Sequence, residues 1–161
     1  MWVYSFIFSL LITWLNLFFF APFFPVWQVN LMLITGLLVA ILAGRIPWPL
    51  ILFTSIWEGI VLRDPFFGTI LAGQIIIWLS IEVLLKTLKP VNTKITALIF
   101  VLVSVTIFTA ALKILSFFAG GSIGLNFILL SILANGSLTL AGWQAVNRIM
   151  RATKKWLLVK I

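Results

Sequence analysis

Apolar residues run along this chain in six long blocks, separated by short clusters of proline, glycine and charge. A hydrocarbon core of roughly 30 Å takes about 20 helical residues, so each block has the length of one membrane crossing. The pattern predicts helices over residues 3–21, 27–44, 48–62, 66–88, 94–117 and 123–146, followed by a basic interfacial tail over 147–161. The first block closes at Pro22 and Pro25, and the second at Arg45, Pro47 and Pro49. Asp64-Pro65 is a natural start for the fourth, Pro90 follows its end, and Ala119-Gly120-Gly121-Ser122 is a turn before the sixth. Connections this short make neighbouring helices antiparallel. The expected architecture is an all-α, single-domain bundle of six transmembrane helices over residues 1–161.

Composition sharpens that expectation. Hydrophobic residues make up 63% of the chain and charged residues 9%, and no Asp, Glu, Lys or Arg occurs before Arg45. With a mean hydropathy of +1.27, the chain cannot cover a water-facing surface. The first block has neither a basic stretch ahead of it nor a small-residue cleavage site, so it reads as a retained helix and not a signal peptide.

The net charge of +8 would suggest nucleic acid in a soluble protein, but the positions of the cations argue otherwise. With six crossings, Arg45, Lys86, Lys89, Lys94, Arg148, Arg151, Lys154, Lys155 and Lys160 fall on one side, and Arg63 and Lys113 on the other. That asymmetry places both termini in the cytoplasm of a multi-pass inner-membrane protein. Arg45, Lys89, Arg148, Arg151, Lys154 and Lys155 then act as interface anchors against anionic headgroups, and the expected partner surface is lipid, not nucleic acid. Five or seven crossings would scatter the same cations over both sides.

The sequence holds no Cys and no His, which removes thiolate nucleophiles, imidazole bases and zinc sites of the usual kind. Its three acids are dispersed, and no phosphate-binding loop or nucleophile with a base appears, so no cofactor and no enzymatic activity are expected. Polar groups at membrane depth are costly and each needs a reason. Glu58, inside Ile56-Trp57-Glu58-Gly59-Ile60, has three open roles: pairing with Arg63, contact with a ligand or partner, and proton relay. Glu82 and Lys86 stand in the favourable order for a helix ion pair. Asn16, Gln74 and Asn135 can bond between helices, Asn135 and Gln74 being further candidates for partner or ligand contact. Gly36, Ala40 and Gly44 recur every four residues and form a small-residue face for a close helix neighbour, in this chain or in another.

The order of these features resembles the rod shape-determining protein MreD family. The resemblance is carried by the turn Ala21-Pro22-Phe23-Phe24-Pro25, an acid beside Gly59, Pro65-Phe66-Phe67-Gly68-Thr69, Ser131-Ile132-Leu133-Ala134-Asn135, and a basic end from Arg148 to Arg151. It spans nearly the whole chain. It implies a non-enzymatic scaffold in the cell-elongation complex of peptidoglycan synthesis. The partners implied are a bitopic MreC-like protein and, through it, the RodA glycosyltransferase and a penicillin-binding transpeptidase. The alternative from a different class is the substrate-binding subunit of an energy-coupling-factor-type transporter, whose pocket needs converging polar groups.

Overall fold

The structure, a computed structural model, describes residues 2–20, 29–62, 67–89, 94–118 and 124–158. Every regular element among them is helical. Helix α1 (Trp2–Trp14) continues as a π-helix (Leu15–Phe20), followed by α2 (Leu31–Ala43), α3 (Trp48–Leu62), α4 (Phe67–Leu88), α5 (Lys94–Phe118) and α6 (Leu125–Leu158). The proline turn after the first block, Arg63 with Asp64, and the glycine turn at 119–122 lie outside the described residues.

Three helices contain stretches long and apolar enough to cross a membrane: Leu71–Leu88, Lys94–Ile114 and Leu125–Met150. The third helix has the 48–62 bounds expected of it and the first, with its π-helical continuation, nearly those expected, whereas the second is shorter than the 27–44 read from hydropathy. Helix α2 has 13 residues and α3 has 15, so each rises only about 20 to 23 Å. Two boundaries also differ. Val29 and Asn30 are not helical, so α2 begins at Leu31 instead of Trp27, because Asn30 caps it. At the other end of the chain, the segment expected as a separate tail is the continuation of α6, which runs unbroken for 34 residues. No Gly or Pro follows Gly142, so nothing in the sequence stops that helix where its hydrophobicity falls.

Side-chain contacts fix the helix directions. Phe6 meets Phe53 and Trp57 with ring centroids 5.3 and 5.5 Å apart, and Asn16 meets Glu58 further along both elements, so α1 and α3 run parallel. Asn30 contacts Asn135 and Leu38 lies against Gly142, so α2 and α6 are parallel as well. Arg45 and Arg148 follow those last contacts by nearly equal lengths of chain, which brings both cations to one end of the bundle.

Helix α2 is the centre of the core. Met32, Leu33, Ile34, Gly36, Leu37, Ala40 and Ile41 are all buried, a set that goes most of the way round the helix. Around them pack Ile12, Ile51, Trp78, Ile81, Phe100, Val105 and Phe108. Trp78 of α4 is fully buried, and its ring lies where a side chain at position 36 would be. A Cβ there would overlap Cη2 of Trp78. Hence Gly36 sets the distance between α2 and α4, and this part of the small-residue face serves a neighbour within the chain. Ala40 is buried on the same helix. Gly44 does something else: it is exposed, has φ 66°, and closes α2 with its N–H donating to the carbonyl of Ala40 at 2.9 Å.

Candidate functional site

The first turn of any helix leaves N–H groups without intrahelical partners, and water usually serves them. The start of α2 is partly buried against other helices, with Asn30 and Leu31 half-buried and Met32 to Ile34 buried. Asn135 touches it from α6 at a point ten residues beyond Leu125, about 15 Å into that helix. Three asparagines do the work of water. The N–H of Asn30 donates to Oδ1 of Asn135 at 2.7 Å, that of Leu31 to Oδ1 of Asn16 at 3.4 Å, and that of Leu33 to Oδ1 of Asn30 at 2.9 Å. Asn30 is therefore the N-cap, while Asn16 and Asn135 reach it from the π-helix and α6.

Each amide has its orientation dictated by this arrangement. A backbone N–H only donates, so Asn16 must present its oxygen to Leu31, and its NH2 group turns to Glu58. There Nδ2 donates to Oε1 of Glu58 across 3.3 Å. Asn135 likewise turns its NH2 back along its own helix, donating to the carbonyl and hydroxyl oxygens of Ser131 at 2.9 and 3.1 Å. Its backbone carbonyl accepts from the hydroxyl of Thr139 at 2.7 Å. Asn16 and Asn135 are both almost wholly buried and Glu58 is partly so. The cluster thus joins the π-helix, α2, α3 and α6 through one helix terminus.

Of the polar candidates raised by the sequence, Glu58, Asn16 and Asn135 are brought together. Gln74 is buried on α4, and its Oε1 has no hydrogen-bond partner among the described residues. The Arg63 partner considered for Glu58 lies outside the described residues, and the contact seen for Glu58 is Asn16. Glu82 and Lys86 form the ion pair their spacing suggests, with Nζ to Oε1 at 2.8 Å. The other carboxylate oxygen of Glu82 accepts from the indole N–H of Trp48 at 3.0 Å, which ties α3 to α4. Arg45, Lys89 and Arg148 are exposed. The helix carrying Arg151, Lys154 and Lys155 is described, but their side chains are not. No group of three or more His, Cys, Asp or Glu side chains that could hold a metal ion occurs among the described residues.

Sequence reasoning missed Asn30 and Trp48. A signal for Asn30 was present, since an asparagine directly before an apolar run is a preferred N-cap. Trp48 carried none, because its partner Glu82 is distant in sequence.

Hydroxyls elsewhere in the bundle are mostly satisfied by their own helices. Thr54, Ser55 and Thr109 donate to the carbonyls of Leu50, Ile51 and Val105 at 2.8 to 2.9 Å, as is usual for hydroxyls in an apolar interior. With its polar groups directed at backbone and at one another, the cluster's chemistry is that of a brace.

Comparisons with family models, with characterised proteins and with solved structures give no match to this chain.

Proposed function

We propose that this protein is a non-enzymatic scaffold subunit of the bacterial cell-elongation complex, resembling the MreD family and binding a bitopic MreC-like partner. In this reading all six helices lie in the cytoplasmic membrane, with both termini in the cytosol. Helices α2 and α3 are shorter than the hydrocarbon is thick. For α2 this is tolerable because its start packs against other helices and its backbone is capped there by side chains. The cationic end containing Arg45 and Arg148 is the cytoplasmic one, by the rule that Lys and Arg stay inside.

The observation that carries the scaffold reading is the use made of Glu58, Asn16 and Asn135. Of the four polar groups a metabolite pocket would draw on, Asn16 and Asn135 hold the start of α2 and Glu58 is held by Asn16, which leaves Gln74. That supports a rigid bundle presenting helix faces to protein partners over a transporter subunit with a ligand cavity. The order of motifs along the chain supports the particular complex.

Affinity purification in mild detergent tests this reading. The protein is expected to bring down a bitopic MreC-like protein, with RodA and the penicillin-binding transpeptidase behind it, and its depletion is expected to round rod-shaped cells. Failure of both removes the proposal. A bound vitamin or metabolite in mass spectra of the purified protein, lost in Glu58→Ala, would establish the transporter alternative instead.

A further inference from the structure

At the opposite end of α2 from the asparagine cluster, a groove of about 430 Å³ opens between the start of α1 and the turn joining α2 to α3. That volume lies within the range of small-molecule sites. Its walls are apolar: Tyr4 and Phe8 of α1, Val39 and Ala43 of α2, then Trp48 and Leu50 of α3. Arg45 also lines it. Tyr4, Phe8, Ala43 and Arg45 are exposed, so the groove is open to its surroundings.

Among the described residues no carboxylate neutralises the charge at its rim. Glu82 is the acid brought to this end, and both its oxygens are engaged, one by Lys86 and one by the Trp48 indole that forms part of the groove wall. Glu58 belongs to the cluster at the far end of α2. Among the described residues Arg45 therefore has no carboxylate partner. An apolar channel with a lone guanidinium beside it, flanked by a tyrosine and a tryptophan, complements an amphiphile with an anionic head.

We propose that this groove binds an anionic phospholipid, its phosphate on Arg45 and one acyl chain along the wall formed by Phe8, Val39, Ala43 and Leu50. The proposal rests on the membrane reading of the chain and not on its assignment to the elongation complex, so the two stand or fall separately.

Native mass spectrometry of the full-length protein in mild detergent, titrated with phosphatidylglycerol or phosphatidylcholine of identical chains, tests it. Phosphatidylglycerol is expected to bind about fivefold better, the effect of roughly one interfacial cation. Arg45→Gln abolishes the preference and Arg45→Lys keeps most of it, whereas Lys113→Gln, near the far end of α5, leaves it unchanged. Ala43→Phe, which fills the groove, weakens binding of both lipids. The proposal is overturned if Arg45→Gln retains the preference, if Lys113→Gln removes as much of it, or if Ala43→Phe binds both lipids as the parent does. Should Arg45→Gln fail to fold, Arg45→Lys and Ala43→Phe decide the matter on the same criteria. Loss of a co-purified protein in Arg45→Gln, with lipid binding intact, would assign the groove to a partner helix and overturn the proposal.

Discussion

At its start α2 is closed by side chains borrowed from two other elements, while at its end it closes itself. Asn16 and Asn135 supply oxygens to the N–H groups of Leu31 and Asn30 inside the bundle. Gly44 turns into the left-handed region at an exposed position and needs no other residue to do so. Where water has access, a backbone conformation open to glycine suffices to end a helix. At the partly buried start the N–H groups of Asn30, Leu31 and Leu33 take side-chain partners, and the sequence must place a polar residue at the right height on another helix.

The sharpest way to break this comparison is at Asn135. Asn135→Leu strands the N–H of Asn30 and is expected to cost about 3 kcal/mol, read as a lower denaturation midpoint in detergent. A midpoint unchanged from the parent would show that water reaches the start of α2, and the contrast between its ends would vanish. Between the two ends, Gly36→Ala is expected to cost about 2 kcal/mol, since the new methyl meets the Trp78 ring with nowhere to go. Gly136→Ala is its control, because a Cβ there has only Leu102 Cδ2 at 3.9 Å, and thermal unfolding should show no loss. Gly44→Ala forces a side chain into the left-handed region at an exposed site and should cost about 1 kcal/mol. The smallest effect belongs to Glu58→Gln. The amide oxygen still accepts from Asn16, so stability is expected to move by less than about 0.6 kcal/mol. A larger loss in the same unfolding assay would mean that Glu58 holds a partner beyond Asn16.

Helices α3, α4 and α5 were legible in the sequence to within a residue at the ends described, because Pro, Asp and Lys punctuate an otherwise uniform hydrophobicity. The errors come from treating hydropathy as if it were helix propensity. From Arg151 to Lys155 the hydrophobicity of the chain falls, yet nothing there ends a helix, so α6 carries on. Trp27 and Val29 are apolar enough to join the second block, yet Asn30 offers its side chain to the N–H of Leu33 and fixes the start of α2 after them. For the site, single residues were visible and their meeting was not. Asn16, Glu58 and Asn135 each stand out against an apolar background, but their convergence depends on how α1, α3 and α6 pack around α2. The Glu82–Lys86 pair was readable because it is local to one helix.

One bond in the cluster has a consequence for biosynthesis. Asn30 and Asn135 are 105 positions apart, so the amide that opens the second helix is made long before the oxygen that receives it. Membrane insertion proceeds from the amino end. On the proposed membrane reading the N–H of Asn30 waits for its Asn135 partner until the last helix arrives, and α6 is the clasp that locks a bundle begun without it. Ribosomes stalled ahead of position 135 should hold nascent chains that proteases cut readily near residue 30, and release of the full-length product should close that site.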